Sequence, residues 1–96
     1  MVIEMLTFDV GAEERVNWLQ TEERVWSRFL ERQAGFIRKQ MWVDREDPGR
    51  VHALIWWESY DLWKQISPET VAEIDEMMGP LLRESTMRTF DVVREC

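Results

Sequence analysis

Apolar and polar residues alternate over residues 2–10: Leu6, Phe8 and Val10 share one parity, Ile3, Met5 and Thr7 the other, and Gly11 closes the run. A period of two predicts a β-strand. From residue 12 to 33 the period lengthens. Val16, Leu19, Trp26 and Leu30 fall on one stripe, widened by Trp18, Val25 and Phe29, which predicts a long amphipathic helix. Ala34-Gly35 ends it, because glycine tolerates the left-handed conformation of a helix C-terminus. Residues 36–43 are β-like again, and 44–50, with Pro48-Gly49, predict a hairpin loop. Residues 51–57 are apolar at nearly every position, the pattern of a strand covered on both faces. Ser59 is a predicted N-cap for a short turn holding Leu62, Trp63 and Ile66. Ser67-Pro68-Glu69 starts a further helix, with Val71, Ile74, Met78 and Leu81 as its apolar stripe and Gly79-Pro80 as an interruption. Residues 86–94 make the last strand.

The order βαββαβ predicts a ferredoxin-like α+β fold: a four-stranded antiparallel sheet with two helices on one face, in a single domain over residues 1–96. Two helices cover only one side of such a sheet. The third strand nevertheless offers Leu54 and Trp56 behind Val51, Ala53, Ile55 and Trp57, and the first offers Ile3 and Met5. Left bare, that second face would exceed the few hundred Å² of apolar patch a monomer normally exposes. Covering roughly 700 Å² per subunit makes an interface of ordinary size, so a homodimer through the sheet face is expected. The alternative is a monomer with a bare sheet.

The formal charge of −7, from 12 basic and 19 acidic residues, leaves no basic face for phosphate, so nucleic acid is not an expected partner. With 45% apolar residues the chain is rich enough to fold. Its longest apolar run, Ala53 to Trp57, is far short of the roughly 18 residues that span a bilayer, so no membrane association is expected. No basic segment followed by an apolar one marks the start for export, and the one cysteine, Cys96, allows neither an internal disulfide nor a cysteine metal site. A cytoplasmic location is expected. No glycine-rich nucleotide fingerprint, P-loop, nucleophile elbow or HExxH pattern is present.

Six tryptophans (Trp18, Trp26, Trp42, Trp56, Trp57 and Trp63) are the most unusual feature of the composition. They suit either an aromatic-lined pocket for a planar ligand or a core filled with bulky side chains. Trp26 and Trp57 fit the core better, whereas Trp18 and Trp63 fall at the margin between helix and sheet. Candidate pocket residues are Leu6, Phe8, Trp18, Trp57, Tyr60 and Trp63, with the Tyr60 hydroxyl as a ligand hydrogen-bonder or simply a surface group. Glu23 sits where the stripe Val16, Leu19, Glu23, Trp26, Leu30 would place a leucine. A buried carboxylate is costly, so it is paired, or faces a cavity as a general base, or the helix bends there. Glu4 shares parity with Leu6 and Phe8, and the two carboxylates could share a proton. His52 is a third acid–base candidate, against a solvated strand-end imidazole; two further ligands are not visible near it, so no metal is expected. Arg38-Lys39 is too short a basic run to carry weight.

The chain resembles the dimeric α+β-barrel superfamily and, within it, the antibiotic-biosynthesis-monooxygenase-like group. The resemblance rests on Phe8-Asp9-Val10 before the first helix, Gly35-Phe36 opening the second strand, and Trp57-Glu58-Ser59 leading into Leu62-Trp63. A small bacterial family in that group is similar in Val2 to Phe8, Trp26, Trp42-Val43, Asp47-Pro48, Trp57 and Trp63-Lys64. The resemblance implies a homodimer with a pocket between sheet and helices in each subunit. It also implies a small aromatic or apolar ligand and no cofactor, with cofactor-independent oxygenation as one activity of the group. A non-catalytic binding or structural dimer with a filled pocket is the alternative. Haem-degrading members resemble one another in a strand-one Asn, a Trp near the second helix and a haem-ligating His. Here Leu6 and about Ile66 occupy the first two places, and no histidine occurs from Ser59 to Cys96. Haem degradation in that manner is not expected.

Overall fold

The computed structural model describes residues 1–96. Four strands, β1 (Val2–Asp9), β2 (Phe36–Val43), β3 (Arg50–Trp57) and β4 (Ser85–Asp91), form one antiparallel sheet in the order β2-β3-β1-β4. Helix α1 covers residues 15–30, α2 is the single turn Tyr60–Trp63, and α3 is Pro68–Glu76, followed by a 3-10 turn Gly79–Leu81. This is the ferredoxin-like arrangement that the βαββαβ order predicts. Strand β4 is shorter than expected and ends at Asp91 rather than running to residue 94.

Local chemistry sets the element starts. The Ser59 hydroxyl accepts from the Leu62 amide at 3.1 Å and the Ser67 hydroxyl from the Thr70 amide at 3.1 Å, with Pro68 opening α3, where its missing N–H costs nothing. Gly35 has φ +86°, and a Cβ there would lie 2.7 Å from the Leu62 Cβ, so glycine both makes the turn out of α1 and lets α2 approach.

Pairing register fixes the faces of the sheet. Val2, Glu4, Leu6 and Phe8 of β1 lie beside Trp57, Ile55, Ala53 and Val51 of β3 on the side of the helices. Two buried clusters form there. One holds Val2, Leu30, Ala53, Ile55, Trp57 and Trp63, the other Val10, Trp18, Val25, Val51 and Met78. Phe8, Trp26 and Met41 pack against both. The opposite side carries Ile3, Met5, Leu54, Trp56, Trp42 and Phe90 with no helix over it, and Trp42 (46%) and Phe90 (39%) stand exposed.

Two irregularities were invisible to period counting. Helix α1 is not continuous: Arg15–Glu22 is α-helical, Glu23–Ser27 is a π-helical turn, and Arg28–Leu30 returns to α. The Arg28 amide bonds the Glu23 carbonyl, five residues back. The extra residue shifts the buried stripe to Trp18, Thr21, Glu22, Val25 and Leu30, while Val16 is 69% exposed. In β2, Phe36 pairs with Trp57 but Arg38 with Trp56, so Ile37 is bulged out. The bulge switches parity, placing Lys39 and Met41 on the helix side with Phe36.

Candidate functional site

Between the sheet and the helices, where the two core clusters meet, lies a cavity of about 360 Å³. That volume lies within the range of small-molecule sites, about 300–1,000 Å³. Its floor is Leu6 and Phe8 of β1 with Ala53 and Ile55 of β3, and its aromatic walls are Trp18, Trp26 and Trp63. Val71, Asp75 and Met78 close the roof, and Lys64, Arg83 and Ser85 stand among the lining residues outside these walls. Two of the three indole N–H groups are spent on the frame: Trp18 donates to the Leu81 carbonyl at 3.0 Å and Trp26 to an Asp75 carboxylate oxygen at 3.2 Å.

Three charged groups converge inside this apolar shell. Lys39, Ile55 and Glu4 form one cross-strand row on the helix face. Two strand spacings of about 4.8 Å put the Lys39 and Glu4 backbones about 10 Å apart. Glu22 comes down from α1 and pairs with the Lys39 ammonium, the two side chains being only 5% and 6% exposed. The Ser27 hydroxyl completes the ammonium's contacts at 2.8 Å. Glu4 accepts a hydrogen bond from the Trp57 indole at 3.2 Å.

Burial sets the proton affinities. It raises the Glu4 carboxyl above its usual value, against the opposing pull of the Trp57 hydrogen bond and of the Lys64 and Lys39 charges. It lowers the Lys39 ammonium, the Glu22, Glu23 and Glu4 charges only partly restoring it. Burial also raises Asp75, countered in part by the Trp26 indole. A carboxyl held towards its protonated form and an amine held towards its free form therefore face one apolar space, an arrangement suited to proton transfer.

The sequence-predicted residues divide in two. Glu4, Leu6, Phe8, Trp18 and Trp63 lie on the cavity wall. Glu23, His52, Trp57 and Tyr60 do not. Glu23 is 62% exposed and salt-bridged to Arg28, because the π turn rotates it outward and leaves its neighbour Glu22 facing in. Of the three expected alternatives, pairing is the one seen, at the surface and with Arg28. His52 lies near the start of β3 on the uncovered side of the sheet, its ring 2.9 Å from the Thr7 hydroxyl. Trp57 is wholly buried behind the wall, edge-on to Phe36, and reaches the site only by holding Glu4. Tyr60 is 53% exposed and stacks edge-on against Trp63. Glu22 and Lys39 were missed; the one available signal was that Glu22 neighbours the suspect position. No three His, Cys, Asp or Glu side chains gather as metal ligands. No helix is long and apolar enough to cross a membrane.

No family model and no curated protein matches the sequence. Its structure, by contrast, is similar to solved proteins along nearly the whole chain. A point mutant of SnoaB, a cofactor-independent oxygenase from Streptomyces nogalater, is 18% identical over 98% of this chain and 94% of its own, with a TM-score of 0.75. The heme-degrader MhuD from Mycobacterium tuberculosis is 18% identical over 100% and 99%, with a TM-score of 0.78. An antibiotic biosynthesis monooxygenase is 13% identical over 98% and 100%, with a TM-score of 0.70. At such identities the likeness is one of fold. The chain has the ferredoxin-like α+β fold of the antibiotic-biosynthesis-monooxygenase-like proteins.

Proposed function

We propose that the cavity binds a small aromatic or largely apolar molecule and acts on it by proton transfer, in a cytoplasmic homodimer joined through the uncovered sheet face. The carrying observation is the buried Glu22–Lys39 pair with Glu4 on the wall of a mostly apolar cavity. Burying an ion pair is a poor route to stability, since apolar residues of similar volume do as well or better, so charges kept at a cavity wall point to use. Cofactor-independent oxygenation is the reaction class that best joins this site to the fold. Its chemistry asks the protein to deprotonate the substrate, whose electron-rich anion then reacts with dioxygen. Glu4 and Glu22 are the candidate bases, and Lys39 is placed to stabilise the anion. Haem is not the ligand proposed, because the one imidazole, His52, is on the other side of the sheet.

Since Trp18, Trp26 and Trp63 line the cavity, ligand entry reports on itself. Titrating a panel of hydroxylated one- and two-ring aromatic compounds should quench tryptophan fluorescence saturably. Oxygen uptake with the productive ones should drop by about 10²–10⁴-fold in Glu4→Gln if Glu4 is the base. Saturable quenching without uptake across the panel would leave a non-catalytic binder. No saturable quenching with any member would overturn the proposal.

A further inference from the structure

Of the twelve basic residues only Lys39 and Lys64 are lysines, and both line the cavity; the other ten are arginines, of which only Arg83 reaches it. Arginine serves surface ion pairing as well as lysine, and does so here at Arg28, Arg50 and Arg83. What arginine cannot supply is an amine that gives up its proton and attacks carbon. Among the side chains, that capability occurs only at residues lining the cavity. Lys39 also lines a second, open groove with Ser27, Arg28, Phe36 and Met41.

We propose that Lys39 is a carbonyl-capturing nucleophile, and that the cavity takes aromatic aldehydes or ketones by forming a reversible imine with its Nζ. The inference rests on the small-molecule reading above and names its ligand class. Glu22 accepts the ammonium proton. The freed nitrogen lone pair attacks the carbonyl carbon, and the C=O π pair moves onto the oxygen of the resulting carbinolamine. That oxygen leaves as water with the two remaining amine protons, relayed by the Glu4 carboxyl, as C=N forms. Nothing is oxidised or reduced, and the oxygen leaves as one water. The burial that lowers the Lys39 ammonium and raises Glu4 favours both proton positions.

With two lysines the test is clean. The intact protein is incubated at neutral pH with 2-naphthaldehyde and cyanoborohydride, and adducts are located by peptide mass spectrometry. Lys39 should be labelled at least about tenfold faster than exposed Lys64, because an aldehyde seated in the cavity is held beside the Lys39 amine. Excess 2-naphthol should protect Lys39 and leave the Met1 amino group unaffected. Lys39→Arg, which keeps the charge, should still show quenching by the aldehyde but no trapping at that position. Labelling of Lys39 no faster than Lys64, or indifferent to naphthol that does quench, would overturn the imine and leave the binding reading standing. Neither labelling nor quenching by either compound would overturn both.

Discussion

Glu22 and Lys39 show how much a single buried pair can depend on its partner. Removing only the ammonium, in Lys39→Met, leaves a carboxylate stranded in an apolar wall, and the expected loss is about 3–5 kcal/mol in urea denaturation. The double change Glu22→Leu with Lys39→Met should recover most of that loss, because an apolar pair of similar size is no worse for stability. Recovery of stability without recovery of ligand quenching is the expected signature of a functional pair. Glu4 makes a separate prediction through pH. Its folded form holds a proton more tightly than the unfolded chain, whose reference value is 4.5, so folding takes up protons and stability falls as pH rises from there. Asp75 adds the same sign above 3.8. Urea midpoints between pH 4 and 7 should therefore move in favour of Glu4→Gln, relative to the wild type, as pH rises. At this scale the sequence could mark Glu4 by its parity. It could not choose between Glu22 and Glu23, two adjacent carboxylates separated only by which way the helix turns.

The elements were legible where their signals are local. Ser59, Ser67, Pro68 and Gly35 do what their chemistry dictates within three or four residues, and the alternation in β1 gives its faces directly. The π turn and the β-bulge were not legible, since each inserts one residue into a period while leaving composition unchanged. Both occur beside the charged pair: one aims Glu22 inward, the other brings Lys39 to the same side. Deleting Arg24 should convert the π turn to α-helix and rotate Glu22 by about one residue's arc, roughly 100°. The expected result is a folded protein that has lost about 3 kcal/mol and saturable quenching together. At the other end of the helix, Gly35→Ala meets both a left-handed backbone and the Leu62 side chain. It should cost at least about 2 kcal/mol in urea denaturation, part of which Leu62→Ala returns.

For the molecule as a whole, only 14 of 96 residues are buried in the isolated chain, and every residue of β4 is exposed. A second copy over Ile3, Met5, Leu54, Trp56, Trp42 and Phe90 would remedy this. Sedimentation should then give a dimer at micromolar concentration, with a Tm that rises with concentration. Phe90→Asp should shift the balance to single chains. A wild-type chain sedimenting alone at these concentrations would refute the dimer.

The roof of the cavity is anchored differently from its floor. Helix α3 has no fully buried side chain, whereas five of the eight residues of β3 beneath the ligand space are buried. Local detachment of this nine-residue segment would open the site while leaving the sheet intact. Amide exchange should be fast along this helix and slow along β3, and an occupant would be felt first as a quieting of the segment above it.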